Sequence, residues 1–435
     1  MKIAIIGSTL QAGVLTALLS KYGNEVYVLT EINPSESGSV KPGFFPHLQD
    51  PQLLAELKRL EAKKTFKQLD SMDDLMALST EIDGYFLSFN TLACREAVDF
   101  LEQVAKRIAE NHIAEQQSTI PLLINGSTFG LYGTEALRRI FPEADWAYLP
   151  DIVQEGNAVK SFIDLAQLIV GVESDQTLIR LKELFRPFFP LPSQWLVMPI
   201  LDAELTKLSI SGMLATRISY MNDLANVAET IGVDILNVKQ GLAADRRIGG
   251  AYLSPGAGFG GENFSSDILM LSEEVGRRGV KSRLMDQVWE VNEDQKEVLF
   301  RHLWRYYESD LAGKKVAIWG ASFKEETASI YNSPIHKMIR ALEAQNVKIS
   351  LFDPEAMPAV KSAYPHLSIH YCEDKYQALE DADALIILTA WKEFFSPDYT
   401  LIKEKMAHPF ILDGRNIFDP HYMQNLGFIY KGIGR

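Results

Sequence analysis

Met1-Lys2-Ile3-Ala4-Ile5-Ile6-Gly7-Ser8-Thr9-Leu10-Gln11-Ala12 opens the chain and decides its fold. Ile3–Ile6 is a short apolar strand that breaks at Gly7. From Leu10 to Tyr22 the apolar residues Val14, Leu15, Leu18 and Leu19 recur at helical spacing, and Glu25–Leu29 reads as a second strand. Strand, turn, helix and strand in thirty residues make a βαβ unit. Such a unit favours a parallel sheet with right-handed crossovers. Further strands are expected at Gly84–Phe89 and Leu122–Asn125, with helices between them.

The same pattern returns near Leu311. Lys315–Trp319 is an apolar strand ending at Gly320, Ile335–Ala344 is a helix, and Val347–Phe352 is a strand closed by Asp353-Pro354. Ala384–Leu388 and Phe410–Leu412 supply two more strands. Between the two regions, Leu205, Leu208, Leu214, Ile218, Met221, Leu224, Ala225 and Ala228 place Asp202–Ile231 in one helix. At 1.5 Å per residue it would span about 45 Å, enough to connect two units and to offer a face to a second subunit. The expected fold class is α/β, with two Rossmann-like doubly wound domains joined by a long central helix.

Composition narrows the function. The 435 residues, 47% apolar and 23% charged, suit about three ordinary globular domains. A net charge of −14 argues against a nucleic-acid or anionic-membrane partner, because phosphate groups call for a basic face. The apolar run at the start ends after five residues, too short for a signal-peptide core. No run approaches the roughly 20 residues that span a bilayer. Cys94 and Cys372 stand alone, with no metal spacing and no disulfide framework, so no metal site is expected. These features describe a cytoplasmic chain.

The first turn would carry a dinucleotide fingerprint, G-x-G-x-x-G, at positions 7, 9 and 12. The chain has Gly7, Thr9 and Ala12. Alanine is tolerated at the third position, but β-branched Thr9 obstructs the approach of a pyrophosphate to the backbone. The acid that would hold the ribose hydroxyls at the end of the second strand is displaced as well. Thr30 occupies its place and Glu31 follows one residue later, on the opposite face if the strand continues.

A second landmark is Gly256-Ala257-Gly258-Phe259-Gly260-Gly261-Glu262-Asn263-Phe264-Ser265-Ser266-Asp267. Its glycines imply a freed backbone, and exposed N–H groups in such a loop would suit phosphate oxygens. This stretch resembles the G-x-G-[FY]-G-G-S-C-F-P-K-D signature of the UDP-glucose/GDP-mannose dehydrogenase family. Asp245-Arg246-Arg247-Ile248-Gly249-Gly250-Ala251-Tyr252-Leu253 is similar to the family's D-x-R-I-G-x-x-[FY]-L run. Phe323-Lys324, Thr327, Ser333 and Pro334 fit its F-K-x-x-T-x-x-x-R-x-S-P motif. Thr389, Trp391, Glu393 and Phe394, then Asp413-Gly414-Arg415-Asn416, then Gly427 through Arg435 fit its remaining elements.

The resemblance implies an N-terminal NAD domain over 1–198, a central helical dimerisation domain over 199–305 and a C-terminal UDP-sugar domain over 306–435. It implies a homodimer and a nucleotide-sugar ligand such as UDP-glucose. A nucleotide-sugar cradle would comprise Arg247, Tyr252, Gly256, Gly258, Gly260, Gly261, Lys324 and Arg415. The family oxidises a sugar C6 alcohol to a carboxylate in two NAD-dependent steps, through a cysteine thiohemiacetal. Asn263 stands where that cysteine belongs and Ser266 where the family has lysine, while Asp267 is kept. Thr128 matches a catalytic threonine, Asp151 and Glu155 match the acids of P-E-F-L-R-E-G, and Lys207 matches the lysine of K-L-x-x-N, whose Asn is Ser211.

Whether the chain is an enzyme stays open at this point. It is either a nucleotide-sugar-binding pseudoenzyme with a regulatory or structural role, or an NAD-dependent oxidoreductase with altered chemistry in polysaccharide precursor synthesis. A third outcome is a scaffold that has taken an unrelated ligand.

Overall fold

Two mainly parallel sheets organise the chain. The computed structural model describes residues 1–30, 48–89, 95–117, 119–280 and 283–435, so the expectation for Glu31 lies outside the described residues, as does Cys94. The chain divides into two units, Met1–Ile210 and Ser211–Arg435.

The first unit holds eight strands: β1 (Lys2–Ile6), β2 (Glu25–Leu29), β3 (Lys67–Gln68), β4 (Gly84–Leu87), β5 (Leu122–Asn125), β6 (Asp145–Tyr148), β7 (Leu168–Val172) and β8 (Trp195–Met198). Their order is β3-β2-β1-β4-β5-β6-β7-β8. The first six follow the doubly wound 3-2-1-4-5-6 order and are parallel, whereas β7 runs antiparallel to β6. Alternation along the strands buries both faces. Ile3, Ile5, Val26, Val28 and Phe86 join one core, and Ala4, Ile6, Tyr27, Leu29 and Tyr85 the other. A strand hydrophobic on both sides is the signature of a parallel sheet covered by two layers of helices.

The second unit repeats the plan with β9 (Lys315–Trp319), β10 (Lys348–Phe352), β11 (Ile369–Tyr371), β12 (Ala384–Ile387), β13 (Phe410–Asp413) and β14 (Ile429–Gly432). Its order, β11-β10-β9-β12-β13-β14, is again 3-2-1-4-5-6 counted from β9, and every pair is parallel.

The long helix runs Ile200–Ile231, 32 residues, and the division between the units falls within it. The expected central segment 199–305 therefore contributes to both units. Within the second unit the next helix, Ile235–Ala244, is pinned at its start by residues distant in sequence. The Ile235 amide donates to the Gly434 carbonyl at 3.1 Å, and Arg435 Nη2 pairs with Asp234 Oδ2 at 3.0 Å.

Some bounds differ from expectation. The first helix ends at Leu19, three residues early, because Lys21 and Tyr22 form tighter turns leading into Gly23 at φ 80°. β4 stops at Leu87, two residues before its expected end, and β12 at Ile387, one residue before.

Candidate active site

In the first unit the strand order reverses between β1 and β4, where ligands of open α/β sheets bind. Gly7 makes the turn there at φ 119°, and a Cβ on it would lie 1.9 Å from the Ser88 carbonyl oxygen, so only glycine fits. Thr9 is the N-cap of helix Leu10–Leu19. Its Oγ1 accepts the Ala12 amide at 3.1 Å and shares a hydrogen bond with Ser88 Oγ. One of the first-turn amides of this helix is thereby satisfied within the chain. Thr30 follows β2 directly and is buried.

Gln11, which carried no sequence signal, is fully buried on the same helix. Its Nε2 donates to the carbonyls of Leu149 and Pro150, each at 3.2 Å, which ties the turn to the segment carrying Asp151 and Glu155. Asp151 Oδ1 accepts the Val153 amide at 3.2 Å, and Glu155 is half-buried. Gly156, next to it, donates its amide to Asp50 Oδ2 at 2.8 Å. Asp50 also caps the helix Pro51–Ala62 through its other oxygen. Thr128 sits half-buried in the loop after β5, and Lys207 is buried on the long helix.

In the second unit the glycine segment leads into helix Glu262–Arg277. Asn263 is on its first turn, half-buried, and Asp267 is buried one turn later. Ser211 Oγ donates to Asp267 Oδ2 at 2.6 Å. Position 211, where the family motif has Asn, thus still offers the acid a hydrogen-bond donor. Ser265 Oγ accepts from Asn332 Nδ2 at 2.9 Å. Asn332 Oδ1 in turn accepts from Lys296 Nζ at 2.6 Å. Burial holds the Lys296 ammonium below the ordinary lysine value, opposed by the nearby Glu293 carboxylate.

Four of the amides in this glycine loop are engaged within the chain. Gly256 N donates to Asn222 Oδ1 at 2.8 Å, Ala257 N to Gly414 O at 3.0 Å, Phe259 N to Asn292 Oδ1 at 2.7 Å and Gly261 N to Tyr331 O at 2.9 Å. The glycines serve close approach. A Cβ on Gly260 would stand 2.7 Å from Asn332 O and 2.9 Å from Phe323 Cβ, and one on Gly258 2.9 Å from Lys296 Cγ. Carboxamides from neighbouring helices fasten the loop: Asn292 Nδ2 returns to Phe259 O at 3.2 Å, and Gln295 Nε2 reaches Gly256 O at 2.8 Å.

The other cradle residues divide. Arg415 lies beside Gly256, its Nη1 3.2 Å from where a Cβ there would sit. It donates to the Leu388 carbonyl at 2.6 Å and the Phe323 carbonyl at 3.1 Å, and burial pulls its guanidinium below the ordinary arginine value. Lys324 is half-buried beside the Phe323 ring, which packs on Gly261. Tyr252, at φ 57°, faces Phe264 with ring centroids 6.5 Å apart. Arg247 is not drawn in: its side chain is 90% exposed and pairs with Asp245 at 2.7 Å.

Among the described residues no helix is long and apolar enough to cross a membrane. Residues 201–294 match the model of the UDP-glucose/GDP-mannose dehydrogenase family central domain, and 317–420 that of its UDP binding domain. UDP-glucose 6-dehydrogenase of Pseudomonas aeruginosa is 31% identical over all of this chain and 98% of its own length. UDP-glucose 6-dehydrogenase TuaD of Bacillus subtilis is 29% identical over all of this chain and 93% of its length. Among solved structures, a UDP-glucose dehydrogenase from Pyrobaculum islandicum superposes with a TM-score of 0.85 at 24% identity, covering all of this chain and 97% of that one. The UDP-D-ManNAc dehydrogenase of Pyrococcus horikoshii gives 0.79 at 21% identity, with coverage of 100% and 99%. The chain belongs to the UDP-glucose/GDP-mannose dehydrogenase family.

Proposed function

We propose that this family member, acting in the cytoplasm, binds a nucleotide sugar such as UDP-glucose without completing the two-step oxidation of its C6 alcohol. Its role is then that of a pseudoenzyme or regulatory partner. One observation carries this reading: Asn263 occupies the first turn of helix Glu262–Arg277, where the family's nucleophilic cysteine is expected. A carboxamide cannot form the thiohemiacetal from which a second hydride would leave. Ser265 and Ser266, beside it, are buried, and Ser265 is already engaged by Asn332.

The first unit supports the same reading. The resemblance implies NAD, and the residues at the β1 turn do not fit it. Thr9 takes the Ala12 amide for itself, and Thr30 stands where an acid would hold the ribose. No chemical step is therefore derived through a dinucleotide.

A second reading, an oxidoreductase of altered chemistry, is favoured by the retained Asp267 with its Ser211 donor and by buried Lys207. Titrating the purified protein with NAD and UDP-glucose, and following absorbance of reduced nicotinamide, separates the two. UDP-glucose binding without reduced cofactor supports the pseudoenzyme. Reduced cofactor appearing with UDP-glucose overturns it. Binding of neither ligand transfers the case to an unrelated ligand.

The reading includes a homodimer. Met213, Tyr220 and Val227 on the long helix are 63%, 54% and 49% exposed and recur every seven residues. That spacing suits a seam against a second copy of the chain. Sedimentation of the wild type against Tyr220→Glu reads its presence.

A further inference from the structure

One buried carboxylate fastens the loop that carries Thr128. Glu204, 3% exposed near the start of the long helix, accepts the amides of Tyr132 at 2.7 Å and Thr134 at 2.8 Å. Tyr132 is held at φ 67° and precedes helix Gly133–Ile140, which has no side-chain cap from its own N-cap residue. At the other end of the loop, Asn125 Oδ1 accepts the Ser127 amide at 2.9 Å. Its Nδ2 donates to Thr134 Oγ1, also at 2.9 Å. Thr128 lies between these two anchors.

Glu204 and Lys207 are three residues apart on one helix, so they share a face, and both are buried. We infer that Glu204 is a positioning residue: its two oxygens hold residues 126–134, and with them Thr128, in fixed register with the turn that presents Lys207. The geometry is selective. Two converging N–H groups require two acceptors, and a carboxylate supplies both, whereas a glutamine presents one acceptor and sets an N–H against an N–H. The inference rests on the reading that Thr128 and Lys207 face a nucleotide-sugar ligand.

Hydrogen exchange on the full chain tests the clamp without any ligand. Glu204→Gln keeps the side-chain volume, and its exchange at Tyr132 and Thr134 rises about tenfold, while strands β1 and β4 exchange as in the wild type. Unchanged exchange at those two amides overturns the inference. Calorimetry with UDP-glucose then tests the positioning. Affinity falls about fivefold in Glu204→Gln, and adding this change to Thr128→Ala weakens binding no further than Thr128→Ala alone. Additive losses assign Glu204 to stability only and overturn the positioning role. If the wild type binds no UDP-glucose, the functional reading fails by itself, and the exchange result still decides the clamp.

Discussion

The two Rossmann-like sheets solve one corner in two ways. Gly7 N donates to Leu29 O at 2.9 Å, and Gly320 N donates to Phe352 O at 2.8 Å, so the two turns are equivalent in register. The residue after Leu29 is Thr30, and the residue after Phe352 is Asp353. In the first turn a hydroxyl, Thr9 Oγ1, takes the helix amide. In the second, buried Asp353 does the organising. Its Oδ2 accepts Ala321 N at 2.6 Å, Ser322 N at 3.1 Å and Trp391 Nε1 at 3.1 Å, while Oδ1 accepts Glu355 N and Ala356 N. An acid at this place would bind a ribose in a dinucleotide site. Here it binds its own backbone. The same topology therefore does not imply the same ligand chemistry; what decides is whether the turn's polar groups are already engaged within the chain.

The predictions below probe that contrast. Asp353→Ala leaves several buried donors without an acceptor, so the second unit should lose about 4 kcal/mol of stability. Denaturant unfolding reads this, and a loss close to that of an ordinary surface change would break the comparison. Gly260→Ala drives a methyl into Phe323 and Asn332 beside the same turn and should cost about 2 kcal/mol. Gly250→Ala, whose nearest neighbour would be Ala243 Cβ at 3.5 Å, should change stability by no more than about 0.5 kcal/mol.

In the first unit, Thr9→Ala removes a cap and should cost about 1 kcal/mol by thermal unfolding. Thr9→Gly with Ser88→Ala opens the turn, and calorimetry should find NAD affinity raised about tenfold, roughly 1.4 kcal/mol. No gain would show that the hydroxyl pair is not what closes the turn. The smallest effect concerns pH. Burial raises the Glu204 carboxyl above its usual 4.5, opposed by the amides of Thr134 and Tyr132. The folded state then holds the proton in an interval where the unfolded chain has released it. Stability should accordingly fall as pH rises through the folded value, and Glu204→Gln should flatten that slope.

Much of the fold was legible because its signals are local. β2, β5 and β9 run over the residues that apolar runs and flanking glycines mark out, and the long helix begins two residues before its expected start. β3 is two residues long, and Leu196 and Val197 in β8 are exposed, so neither gave a periodic signal. The candidate site was legible only at positions that match a motif. Gln11, Asp50, Glu204 and Asn292 act across 139, 106, 72 and 33 positions of sequence, and no local pattern announces such partners. The glycine loop reads two ways for a related reason. Freedom to approach a phosphate and freedom to approach one's own backbone leave the same residue type, and only the neighbours distinguish them.

The anchoring of residues 234 and 235 by Gly434 and Arg435 has a consequence in time. Asp234 and Arg435 are 201 positions apart. At about 5–20 residues per second, a ribosome takes roughly 10–40 s to deliver the partner after the helix has emerged. Through that interval the second unit exists without one of its fastenings.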